Sequence, residues 1–125
     1  MWVRFPSPAP IHYFNTMLTA QQNDVIMDGF LENLFTSISD CIYGIGGECD
    51  YADGTLEIVV HSKTFVINKH FASGKIWYSS PVSKPKYYSI NSFGIFEEST
   101  QKTNLIDDLQ KDFLQLGVQL QINKN

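Results

Sequence analysis

Apolar and polar positions along this chain change period three times, and the changes mark its elements. Met27, Leu31, Leu34, Phe35 and Ile38 recur at spacings of three and four, the stripe of an amphipathic helix. Thr19 followed by Gln22 has the form of a capping box, so the helix is expected over residues 20–39, with an earlier turn over 13–18 as an option. Strict alternation then takes over. Leu56, Ile58 and Val60 alternate in a strand over 55–61, joined through Asp53-Gly54 to a short strand over 48–51. The stretch 64–86 reads as strands over 64–69 and 75–79 around a turn with Ser73 and Gly74, closed by Ser-Pro and Lys-Pro steps that cannot continue regular pairing. Residues 87–90 and 93–97, with Asn91-Ser92 as their turn, supply a fifth and sixth strand. Asn104 caps a second helix with Asp107 at its third position, and Leu105, Leu109, Phe113 and Leu116 form its core stripe up to Gly117. Val118, Leu120 and Ile122 alternate in a tail that can cover the open end of the helix pair.

Helix, strands and helix in that order predict an α+β fold: a two-layer sandwich, two helices packed on one face of a five- to six-stranded antiparallel sheet, with the other face free. If the 64–79 hairpin closes with Lys69 opposite Gly74, Phe65, Ile67, Ile76 and Tyr78 share the core face, and Val66, Asn68, Lys75 and Trp77 the free one. An amide, a cation and a large aromatic on a free sheet face indicate a surface that touches something.

At 125 residues the chain is one domain. Residues 1–12, with three prolines and no acid, form an N-terminal arm or the remnant of an organelle presequence, and 13–125 the domain proper. No apolar run approaches a membrane span, so a soluble protein is expected. Cys41 and Cys49 fit neither zinc spacing nor a C-x-x-C motif and read as free thiols in a reducing compartment. The net charge of −4 conceals a segregation: eight acids and no Lys or Arg between 24 and 57, five lysines and no acid between 58 and 96. This predicts an electrically two-sided molecule.

Asp24, Asp28 and Glu32 stand at i, i+4 and i+8 on the first helix, and Glu48 and Asp50 can join them if the helix end and the first strand are neighbours. A ridge of oxygen ligands without closed coordination suits a hard cation such as iron(II), weakly held. His12, His61 and His70 are scattered, and no Glu-x-x-His pair, P-loop, nucleophile elbow or dinucleotide motif is present. Turnover catalysis is therefore not expected. A stacking platform for nucleic acid built from Trp77, Tyr87 and the lysines is opposed by a pI of about 5.2.

Phe65-Val66-Ile67-Asn68-Lys69, then Ile76-Trp77, Ser79-Ser80-Pro81, Pro85-Lys86 and Tyr88 resemble the frataxin family in residue and spacing, and the serine-serine-proline turn is similar to its eukaryotic branch. The resemblance implies a frataxin-like domain over 13–125 and iron (Fe2+) binding on a ridge formed here by Asp24, Asp28, Glu32, Glu48 and Asp50, weakly because the helix carries few acids. It also implies a monomer, in the mitochondrial matrix or a mitochondrion-derived organelle, whose sheet docks onto the cysteine desulfurase and iron-sulfur scaffold protein, with no nucleic acid and no membrane as partner. Trp77 and Asn68 match the family's contact positions. His70 and Lys75 stand where the family prefers glutamine, and Tyr87 where arginine is common. The function implied is an iron-binding regulator that activates that complex and delivers Fe(II). A ferroxidase and iron-storage role on the same carboxylates is the alternative.

Overall fold

A computed structural model describes residues 19–122. Helix α1, Ala20–Ile42, leads through a 3-10 turn at Tyr43–Ile45 into β1, Glu48–Ala52. Then come β2, Thr55–Val60; β3, Lys63–His70; β4, Lys75–Ser79; β5, Lys86–Ile90; β6, Phe96–Glu98; and helix α2, Leu105–Gln115. The strands form one antiparallel sheet in chain order, β1 to β6, and both helices pack on the same face of it. The N-terminal arm and the optional turn over 13–18 lie outside the described residues.

Local chemistry accounts for the helix starts. Thr19 Oγ1 accepts from the Gln22 amide at 3.1 Å while Gln22 Oε1 accepts from the Thr19 amide at 2.8 Å, the reciprocal pair of a capping box. Asn104 Oδ1 accepts from the amides of Ile106 and Asp107. The first helix runs three residues beyond the expected end, because Ile42 continues the stripe of Leu34 and Ile38 and is itself buried.

The core lies between helices and sheet. Met27, Leu31, Leu34, Ile38 and Ile42 from α1 and Leu105, Leu109 and Phe113 from α2 meet Leu56, Ile58, Phe65, Ile67, Ile76, Tyr78 and Tyr88. Phe65 and Phe113 stack with centroids 4.2 Å apart. Val118 and Leu120 bury in the same cluster, as expected for a covering tail. That tail is pinned at Gln121, whose amide donates to Cys41 Sγ at 3.3 Å while the thiol reaches its carbonyl at 3.8 Å.

Below this core two carboxylates fix α2 to the sheet. Asp112 is 4% exposed, and its Oδ2 accepts from the hydroxyls of Tyr78 and Ser83, each at 2.7 Å. One turn earlier, Asp108 Oδ2 accepts from Tyr88 at 2.6 Å and Thr103 at 2.7 Å.

Two sequence expectations are corrected. The β3–β4 hairpin closes with His70 opposite Lys75 and Lys69 opposite Ile76, two residues from the expected register. Phe71 to Gly74 form the whole turn, with the Gly74 amide donating to the His70 carbonyl at 3.0 Å and Gly74 at φ +68°. A slip of two leaves every side chain on its expected face. The last strand starts at Phe96, not residue 93, because Asn91 Oδ1 draws the amides of Phe93 and Ile95 into a turn.

Candidate functional site

The free face of the sheet is built by register. Thr55 pairs with Asn68, Asn68 with Trp77, and Trp77 with Tyr87, so four strands contribute one transverse row. A second row beside it runs His70, Lys75, Ser89. All five residues expected to meet a partner, Asn68, His70, Lys75, Trp77 and Tyr87, therefore fall on two adjacent rows of one face.

The rows are held before anything binds. Asn68 Nδ2 donates to Thr55 Oγ1 at 2.7 Å, which fixes its amide across the strand. The His70 ring nitrogen Nδ1 lies 2.8 Å from Ser73 Oγ, tying that side chain to its own turn. Trp77 is half-buried between Asn68 and Tyr87, and Tyr87 is 51% exposed. A rigid strand bearing a Trp among polar neighbours has the anatomy of a binding hot spot: large apolar area, little rotamer entropy left to lose. Thr55, which orients Asn68, was not singled out from sequence; only the pairing of β2 with β3 reveals it.

The acidic residues divide differently than the ridge reading implied. Asp24, Asp28 and Glu32 do line α1, but Glu48 and Asp50 do not face it. Cys49 and Tyr51 are the β1 residues that pair with the buried Ile58 and Leu56, so the register turns Glu48 and Asp50 to the free face, where Asp50 is directly opposite Glu57. Among the described residues no three of His, Cys, Asp and Glu are gathered to hold a metal ion. Nor does the segregation of charge along the chain become a segregation by face. Lys69 shares the inward parity of Phe65 and Ile67, while Glu48, Asp50 and Glu57 share the outward parity of Asn68.

That inward lysine was missed as a site residue. Its Nζ lies 2.9 Å from Asp24 Oδ1 and 3.6 Å from Asp28 Oδ1, and the Tyr51 hydroxyl donates to the same Asp28 oxygen. The Tyr51 hydrogen bond, followed by the Lys69 charge, holds Asp28 below the usual 3.8 against the opposing effect of partial burial. The hydrogen bond to Asp24 leads the causes that lift Lys69 above 10.5.

Signs follow from linkage. A depressed carboxylate contributes stability above its unfolded value and loses it as pH falls through the folded one; a raised lysine contributes below its unfolded value and loses it as pH rises through the folded one. The difference in urea midpoint between the native chain and Lys69→Gln is thus expected to be full between about pH 5 and pH 10 and to shrink on both sides. A difference that stays flat from acid to alkali would show the contact to be energetically silent.

Elsewhere Cys41 and Cys49 are free thiols, and burial pushes the Cys49 thiol above 9.0. A groove between α1, β6 and the tail is lined by Phe30, Leu34, Ile95, Phe96, Ile106 and Ile122, none of them among the binding or metal residues expected from the sequence. No described helix is long and apolar enough to cross a membrane.

Comparison with known proteins adds an independent observation. A family model described as a frataxin-like domain matches residues 16–118. A mitochondrial frataxin homolog of Schizosaccharomyces pombe is 35% identical over 78 residues, 59% of this chain and 49% of the relative. The mitochondrial frataxin of Dictyostelium discoideum is 46% identical over 48 residues, 38% and 25% respectively. The matched stretches thus span half or less of these relatives' own length. Among solved structures, a frataxin from Psychromonas ingrahamii superposes with a TM-score of 0.74 at 13% identity, covering 85% of this chain and 99% of that one. Yeast frataxin superposes with a TM-score of 0.63 at 19% identity, covering 91% and 97%. At such identities the structural likeness speaks for the fold.

Proposed function

This chain belongs to the frataxin family, and from that membership we propose that it serves iron-sulfur cluster assembly in the mitochondrion, the compartment for which its curated relatives are named. It binds a complex of cysteine desulfurase and scaffold protein through the free sheet face and activates it by favouring one of the complex's conformations, without chemistry of its own. The observation supporting this reading most directly is the preset row Thr55–Asn68–Trp77–Tyr87.

Iron(II) is cargo in this reading, held loosely by surface carboxylates and handed on. Asp24 and Asp28 already hold Lys69, which fits weak binding better than storage or oxidation of many ions.

The test is desulfurase turnover in a reconstituted assembly complex, with the native chain and with Trp77→Ala. Native protein is expected to stimulate turnover, and the variant to bind with a loss of about 2 kcal/mol, roughly thirtyfold, while melting like the native chain. Absence of stimulation by the native chain, in a complex from a matching organism, would sink the proposal. Equal stimulation by both would move the contact off Trp77.

A further inference from the structure

Two carboxylates in the first half of α1, Asp24 and Asp28, are already answered from within the chain. Lys69 follows Phe65 and Ile67 on the inward parity of β3, so its side chain leaves the sheet on the helix side. A long apolar stem there needs a channel, and Gly54 supplies it. A Cβ at Gly54 would come within 2.8 Å of Lys69 Cε and 2.9 Å of its Cγ. Gly54 also stands at φ +76°, as the hairpin turn requires, and its carbonyl accepts the Lys69 amide at 2.9 Å. The stem therefore lies across the β1–β2 turn and delivers the ammonium between Asp24 and Asp28, where the Lys69 side chain is 19% exposed against 30% and 44% for the two acids. Tyr51 takes a further part of Asp28's capacity.

We infer that Lys69 is a built-in competitor for divalent metal at Asp24 and Asp28. The ammonium sits where a cation shared by the two carboxylates would sit, and two cations at that separation repel each other with only partial screening. Metal and lysine exclude one another, so loading this part of the helix means lifting Lys69 out of its channel over Gly54. Asn68 and Lys69 are adjacent in β3 and project to opposite faces, so the residue displaced by metal neighbours the one that faces the partner. The inference rests on reading the α1 carboxylates as the side that meets iron.

The test is calorimetric titration of the full chain with manganese(II), a hard divalent cation that does not oxidise in air. Four proteins are compared: native, Lys69→Gln, Lys69→Arg, and Lys69→Gln combined with Asp24→Asn. Lys69→Met, which keeps the stem over Gly54, replaces Lys69→Gln if thermal melting shows that variant to be unfolded. The neutral variant is expected to bind manganese on the order of tenfold more tightly than the native chain. Arginine should preserve native affinity, and Asp24→Asn should remove the gain. Equal affinity of native and neutral variants overturns the inference, as do a gain that survives Asp24→Asn and an absence of binding in both. Desulfurase stimulation is scored separately without added metal, so either result can fail while the other stands.

Discussion

Replacing Phe65 by alanine is expected to cost about 3–5 kcal/mol, the range for truncating a fully enclosed aromatic. Phe65 is 0% exposed, sits in β3 at the middle of the sheet, and stacks on Phe113 of α2. Truncation removes both the transfer energy of the ring and its contact with Phe113, and neither Ile67 nor Ile58 beside it can collapse into the gap without leaving its strand. A domain of this size is stable by only about 5–15 kcal/mol, so the variant stands near the edge of folding. Its melting temperature should fall by about 10–20 °C. Phe65→Leu, which keeps most of the volume, should lose far less. A loss below about 1 kcal/mol for alanine would mean that sheet and α2 do not share this core.

The second large effect is polar. Asp112→Ala removes the carboxylate that accepts from the buried Tyr78 hydroxyl and from Ser83; burial and that carboxylate both keep Tyr78 protonated. A buried donor without a partner costs about 1–3 kcal/mol, and the vacated volume adds to it, so about 2–4 kcal/mol is expected. Tyr78→Phe alone leaves the carboxylate with Ser83 only and should cost about 1–2 kcal/mol. The decisive comparison is the double variant, Tyr78→Phe with Asp112→Ala. With the Tyr78 hydroxyl gone as well, only Ser83 is left without the carboxylate, so the double variant should be more stable than the sum of the single effects by about 1 kcal/mol or more. Strict additivity in urea unfolding would show that Tyr78 and Asp112 are neighbours without being partners.

Much of this fold is written locally. The capping box at Thr19, the cap at Asn104 and the Asp53-Gly54 turn each need only a few consecutive residues, and all are found where the sequence places them. Strand faces were equally legible, because Phe65, Ile67, Ile76 and Tyr78 alternate without exception. What escaped is what a period of two cannot encode. A slip of two residues in the β3–β4 register changes no side chain's face, so no pattern distinguishes His70–Lys75 closure from the tighter alternative. Phe93 and Ile95 alternate like a strand, yet the Asn91 side chain captures the local amides first and leaves Phe93 75% exposed.

The free sheet face was readable for the same reason as the strands, since parity alone groups Asn68 with Trp77. The acidic ridge was not. Its grouping depended on which way β1 faces, and Glu48-Cys49-Asp50-Tyr51 offers only a thiol and a phenol to decide it. Lys69 was hidden by its chemistry: a lysine near a strand end reads as solvent-facing, although its stem can cross apolar ground and carry the charge to a partner.

Glu48 and Asp50 then want a reason of their own, and the order of strands gives one. With β1 through β6 in sequence, β1 is an open edge among the described residues, its outer backbone groups ready to receive another strand. A second copy approaching edge to edge would bring identical acids into the new seam. Two carboxylates on a five-residue strand, reinforced by Glu57 opposite Asp50, make that seam repulsive. Charge that looks idle on one molecule thus raises the cost of pairing two such edges.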